Sequence, residues 1–83
     1  MLTGLEPPVP VELVAGSPAV GKSLAELRLR GLTGATVLAI RRGSEPILVP
    51  SGDERLQVGD VLALAGPHDS IEAATEILSG RNV

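Results

Sequence analysis

The runs TVLAIRR, from Thr36 to Arg42, and EPILV, from Glu45 to Val49, are separated by Gly43 and Ser44 alone. Two residues reverse a chain into an antiparallel hairpin, whereas a parallel neighbour requires a crossover of a dozen or so. Glycine in the first loop position suits the type II′ turn that matches the twist of such a hairpin. A third apolar run, DVLALAG from Asp60, follows the turn-rich PSGDERLQVG, which is too broken for a crossover helix. Any sheet built from these runs is therefore mostly antiparallel.

Upstream, VPVELV from Val9 to Val14 alternates around Glu12 and stops at Gly16; Pro10 marks an edge or a strand start. KSLAELRLR then turns helical, with Ser23 and Glu26 in the S-x-x-E spacing of a capping box. That helix is expected to be brief. Past Leu27 it would carry Arg28 into the apolar sector between Leu24 and Leu29, so the chain should leave the helix there and turn through Gly31 to Gly34. In DSIEAATEIL, Ile71, Ala74 and Leu78 share one face, Asp69 and Glu72 favour a start, and Gly80 favours a stop. The expected fold class is α+β, a single small domain of β-α-β-β-β-α order over residues 9–80. Residues 1–8 read as a linker or extended lead-in, because the first ten residues hold three of the seven prolines, and residues 81–83 read as a tail.

Composition narrows the partners. The 83 residues include no Phe, Tyr or Trp, so the core must be aliphatic, and at this size folding alone leaves a thin margin that association often widens. Seven basic residues against ten acidic ones, with no stacking rings, argue against nucleic acid. The absence of cysteine excludes disulfides and thiolate metal sites. Runs such as VLALAG fall far short of the roughly 20 residues a spanning helix needs, so direct membrane insertion is not expected.

Gly16, Gly21, Lys22 and Ser23 stand at the G-x-x-x-x-G-K-S spacing of a phosphate-binding P-loop. That loop works between a parallel strand and a long helix, and a second apolar strand should end in an Asp for magnesium. Neither setting is present in the sequence. The same residues have structural work available: glycines to turn the chain, Pro18 to stiffen it, Ser23 to cap the helix, and Lys22 to sit solvated. Elsewhere, His68 is the sole histidine and opens the last helix, where capping or surface exposure is commoner than catalysis or metal binding. Ser17, His68 and Asp60 name a triad on paper only, without a nucleophile elbow. Asp53, Glu54 and Asp60 read as turn formers. Arg28, Arg30, Arg41 and Arg42 form either a solvated basic edge or a phosphate- or carboxylate-binding set, since guanidinium forks suit both anions.

The stretch GKSLAELRLRGLTGATVLAIRRGSEPILVPSGDERLQVGDVLALAGP resembles the RCK-C family, also called TrkA-C, over residues 11–79. Its most specific pieces are Gly21 to Leu27, Thr33 to Gly43, and Pro50 through Asp53, Leu56, Gly59 and Asp60 to Gly66. The resemblance implies a cytoplasmic regulatory domain of a potassium channel, transporter or cation/proton antiporter, held near a membrane protein at the inner face of the membrane. It implies a homodimer with a ligand cleft on its two-fold axis, no enzymatic activity and no cofactor. In several members that cleft binds cyclic di-AMP through paired aliphatics, an Asp, an Arg and an Asn. Leu24, Arg30 and Leu38 match that pattern and Val37 is a conservative replacement. Ser23 stands at an aliphatic position, Arg28 at the Asp and Thr36 at the Asn. The ligand site implied is Leu24, Arg28, Arg30, Thr36, Val37 and Leu38, with no catalytic or metal-binding residue. The alternatives are a dimerisation domain without a small-molecule site and a P-loop-like nucleotide binder.

Overall fold

The computed structural model describes residues 7–79. Most of the expected lead-in, the tail and the Gly80 stop lie outside the described residues. Four strands, β1 (Val9–Glu12), β2 (Thr36–Arg42), β3 (Glu45–Leu48) and β4 (Val61–Ala65), form one sheet in the order β1-β4-β2-β3. Every neighbouring pair is antiparallel. The β2–β3 hairpin closes at Arg42 opposite Glu45, with Gly43 at φ +63°. The chain then returns through a long loop to place β4 between β1 and β2, and this central strand is the one without a polar residue.

Alternation decides the two faces. Ile40, Leu62 and Leu64 are buried on one face with Leu13, where Ala74 and Leu78 of α3 (His68–Ser79) join the same core. Ile71, expected on that helix face, is only part-buried against the core. Val61 and Ala63 turn to the other face.

The helical region between β1 and β2 differs from expectation. One short helix followed by a turn was expected, yet there are two, α1 (Leu24–Leu27) and α2 (Leu29–Thr33), giving the order β-α-α-β-β-β-α. The break falls at Arg28, where φ 51° and ψ 40° place it in the left-handed region. This single residue lets both neighbours, Leu27 and Leu29, enter the core while Arg28 stays in solvent. Residues 29–33 stay helical because Leu29 is anchored there and the Thr33 hydroxyl donates to the Leu29 carbonyl at 2.6 Å. Gly34, at φ +86°, then ends α2 where it meets the first turn of α3. β1 ends at Glu12 rather than Val14, although the Leu13 N–H still donates to the Asp60 carbonyl at 2.8 Å. β3 stops before Val49, whose φ of +46° takes it out of the extended region.

Candidate functional site

The start of α1 is closed on itself. The Ser23 hydroxyl accepts from the Glu26 N–H at 3.2 Å, and the Glu26 carboxylate accepts from the Ser23 N–H at 2.8 Å. Loop carbonyls take the next two amides: Leu24 N–H donates to Glu54 at 3.1 Å and Ala25 N–H to Gly52 at 2.9 Å. Upstream, Gly21 N–H donates to Leu56 and Lys22 N–H to Ala19. The donors that a P-loop would aim at phosphate are thus all bonded within the protein, and Lys22 points to solvent. The Ser23 N–H, and then the charge of Arg55, hold the Glu26 carboxyl below its ordinary range.

Those loop contacts build a cavity. Because Gly52 and Glu54 are tied to α1, the loop after β3 lies across the helix and closes one wall with Pro50 and Gly52. The other walls come from Leu24 and Ala25 of α1, Leu29 and Arg30 of α2, and Ala35 to Val37 entering β2. The cavity holds about 330 Å³, open to solvent and mostly apolar. Arg30 is exposed at its rim and makes no ion pair among the described residues. Of the residues singled out from the sequence, Leu24, Arg30, Thr36 and Val37 come together here. Arg28 and Leu38 are not in the lining: Arg28 forms the hinge between the helices, and Leu38 is the extra residue of a β-bulge. Between Val37, opposite Leu64, and Ala39, opposite Ala63, the bulge leaves Leu38 43% exposed, with its carbonyl accepting from the Val49 N–H at 3.1 Å. Beside it Leu48 and Val49 are more exposed still, at 72% and 86%.

The arginine set divides. Arg28, Arg30 and Arg41 are exposed, but Arg42 is part-buried and engaged by carboxylates of its own chain. Its Nε and Nη2 grip the two carboxylate oxygens of Asp60 at 2.9 and 2.8 Å, Nη1 reaches Glu54 at 3.1 Å, and Nη2 also donates to the Arg55 carbonyl. Asp60 is 1% exposed and accepts a further bond from the Gln57 N–H. Asp60 and Glu54 do close turns, their N–H groups donating to the Gln57 and Ser51 carbonyls at 3.1 Å, and their carboxylates are in addition partners in a part-buried anchor. Burial pushes the Asp60 carboxyl up, yet the bonds from Arg42 and Gln57 and the Arg42 charge outweigh it and hold the pKa below the ordinary value.

The paper triad is dispersed. The Ser17 hydroxyl donates to the Leu78 carbonyl, Asp60 is held by Arg42, and His68 is exposed at 3.5 Å from the Glu72 carboxylate. His68, Asp69 and Glu72 are the group that could hold a metal among the described residues, and all three are exposed on the first two turns of α3. A wider groove of about 410 Å³ runs between Val9 and α3. Its walls carry Glu72 and Glu76 and no basic side chain other than His68, so it repels the anions that Arg30 would attract. Among the described residues no helix is long and apolar enough to cross a membrane.

Comparison with known proteins agrees with this architecture. The model of the TrkA-C domain family matches residues 9–79. The chain belongs to the TrkA-C family. Over 60 residues the TrkA-C domain is 45% identical to an uncharacterized transporter of Synechocystis, covering 72% of this chain and 10% of that protein. It is 38% identical over 60 residues to the Ktr system potassium uptake protein A of Vibrio alginolyticus, covering 72% of this chain and 27% of that protein. The chain thus spans a small part of these relatives. Among solved structures it is similar to the RCK_C domain dimer of S. agalactiae BusR in complex with c-di-AMP, at a TM-score of 0.76 and 28% identity over 87% of this chain and 88% of that one. It is also similar to the RCK C domain of the potassium transport protein KtrA in complex with c-di-AMP, at a TM-score of 0.72 and 30% identity over 83% and 81%. TrkA-C is a family of regulatory rather than catalytic domains in potassium transport systems.

Proposed function

We propose that this TrkA-C domain is a ligand-sensing, dimerising module that regulates a potassium or other cation transport protein from the cytoplasmic side of the membrane. It acts by binding: a ligand that prefers one arrangement of the paired domains biases the transport protein by that difference in affinity. The ligand proposed is cyclic di-AMP, seated where two copies bring their Arg30 cavities together. A cyclic dinucleotide has its own two-fold axis and two phosphates, so one Arg30 from each subunit meets one phosphate. Leu24 and Leu38 pack on the bases beside Thr36 and Val37, and Arg28 adds a supporting charge.

The observation that carries this reading is a guanidinium without an ion-pair partner among the described residues, at the mouth of an apolar, half-open cavity, bordered in the chain by exposed Leu38 and Val49. The two similar domains solved with c-di-AMP support the choice of ligand. Calorimetry of the chain with cyclic di-AMP, ATP and ADP tests it. Each charge-assisted bond contributes about 1.5–3 kcal/mol, so Arg30→Ala, acting twice in a dimer, should weaken cyclic di-AMP binding at least ~100-fold. The Arg28→Ala loss should be smaller. Unchanged affinity in a folded Arg30→Ala variant moves the site elsewhere, and no binding at millimolar ligand leaves a domain that only assembles.

A further inference from the structure

The second face of the sheet carries surface that none of the described residues covers. In register across it lie Glu12, Val61, Arg41 and Pro46, and in the next row Pro10, Ala63, Ala39 and Leu48. Val61 and Ala63 sit on the central strand, where a covered side chain would be dry, yet both keep solvent contact, as does Ala39. A shallow depression of about 240 Å³ opens over them. The side chains in its middle are small, which lets another sheet approach closely.

Two charges stand in these rows, Glu12 and Arg41, and neither has an ion-pair partner among the described residues. Both are opposite Val61, one on each side of β4. They are therefore two strand spacings apart, about 9–10 Å, too far to pair with each other. A two-fold axis laid along β4 exchanges the two sides of the strand. It sets Val61 on the partner's Val61 and Ala63 on the partner's Ala63, and it brings each Glu12 over the partner's Arg41.

We propose that this face docks on the same face of a second copy about that axis, closed by two Glu12–Arg41 pairs. The occupant is a second copy because the pattern is self-complementary: an apolar centre flanked by opposite charges at equal distances is what an isologous contact requires. None of the two rows lines the Arg30 cavity, so reversing Glu12 or Arg41 leaves the residues of the proposed ligand site in place.

Sedimentation of the ligand-free chain, followed by refractive index because aromatic absorbance is absent, tests the contact. The wild-type chain should self-associate. Glu12→Arg and Arg41→Glu, each setting like charges face to face twice, should each raise the dissociation constant at least about tenfold. An equimolar mixture of the two variants restores both pairs and should re-associate, as should Glu12→Arg/Arg41→Glu in one chain; far-UV dichroism establishes that each variant is folded. A wild-type chain that stays monomeric at ~1 mM, an association that neither reversal weakens, or a mixture that remains as dissociated as its components would each overturn the proposal.

Discussion

Replacing Arg42 with Met keeps most of the aliphatic stem and removes the guanidinium that grips Asp60. The carboxylate left behind is 1% exposed and retains only the Gln57 N–H, at 2.9 Å, of the bonds it receives in the native chain. Removing one partner of a buried pair costs about 3–5 kcal/mol because the remaining charge stays desolvated. Arg42 itself is 27% exposed, so water can follow it in, and the lower end, about 3 kcal/mol, is expected. The lost contact to Glu54, a part-exposed carboxylate, adds little. An 83-residue domain has roughly 4–12 kcal/mol in all, so the change is large without abolishing the fold. In the native chain the folded Asp60 carboxyl titrates below its unfolded value, so its contribution is complete above the unfolded pKa and is lost as the pH falls through the folded one. In the variant, burial acts without Arg42 and lifts the folded pKa above the unfolded value. Stability is then fully present below the unfolded pKa and is lost as the pH rises through the folded one. The two stability curves should therefore converge on acidification. Urea unfolding followed by far-UV dichroism at pH 7 and again near pH 4 measures this. A deficit below about 1 kcal/mol at pH 7, or one of equal size at both pH values, would refute the reasoning.

Ser23→Ala should cost about 1 kcal/mol through loss of the cap, while neither the native chain nor Lys22→Ala shows saturable, magnesium-dependent ATP binding by equilibrium dialysis. Gly34→Ala should lower stability by more than ~1 kcal/mol, because φ is +86° and the new Cβ would stand 2.8 Å from the Ser70 hydroxyl. Adding Ser70→Ala should recover the steric part alone, which chemical denaturation of the single and double variants separates. Val49→Asn should raise stability by about 0.5–1 kcal/mol, since Val49 is 86% exposed at φ +46° and asparagine tolerates that conformation; an unfolding midpoint that falls would count against strain at that residue.

Features that rest on near neighbours were legible before the structure. The two-residue hairpin follows from Gly43 and Ser44, the capping box from the spacing of Ser23 and Glu26, and the helix break from the apolar sector that Arg28 would have entered. α2 was hidden because Gly31 and Gly34 both signal a turn, while the buried Leu29 that holds it helical depends on tertiary contact. The cavity was half legible. Leu24, Arg30, Thr36 and Val37 lie within fourteen positions of one another, but Pro50 and Gly52 reach it only because loop carbonyls accept from the α1 amides. The Arg42–Asp60 anchor joins the end of one strand to the start of another, eighteen positions apart. Its residue types look the same in sequence as a solvated edge and a turn, and only the sheet order makes them neighbours.

The P-loop spelling shows how far a motif depends on its surroundings. In a nucleotide site the glycines free backbone amides toward the phosphates, and the hydroxyl is free to meet magnesium. Here Gly16 and Gly21 do adopt positive φ, at +96° and +87°, so the loop makes the glycine turns that the spelling promises. The competition for its donors decides the outcome. Ala19 N–H goes to the Ser17 hydroxyl, Gly21 N–H to Leu56, Leu24 N–H to Glu54 and Ala25 N–H to Gly52. The loop after β3 thus occupies the ground that a phosphate would need, and Ser23 is 7% exposed with its hydroxyl committed to Glu26. Releasing those donors would undo the same bonds that form the wall of the Arg30 cavity. In this chain a phosphate-binding P-loop and the Arg30 cavity exclude each other, and the bonds that build the cavity are the ones formed.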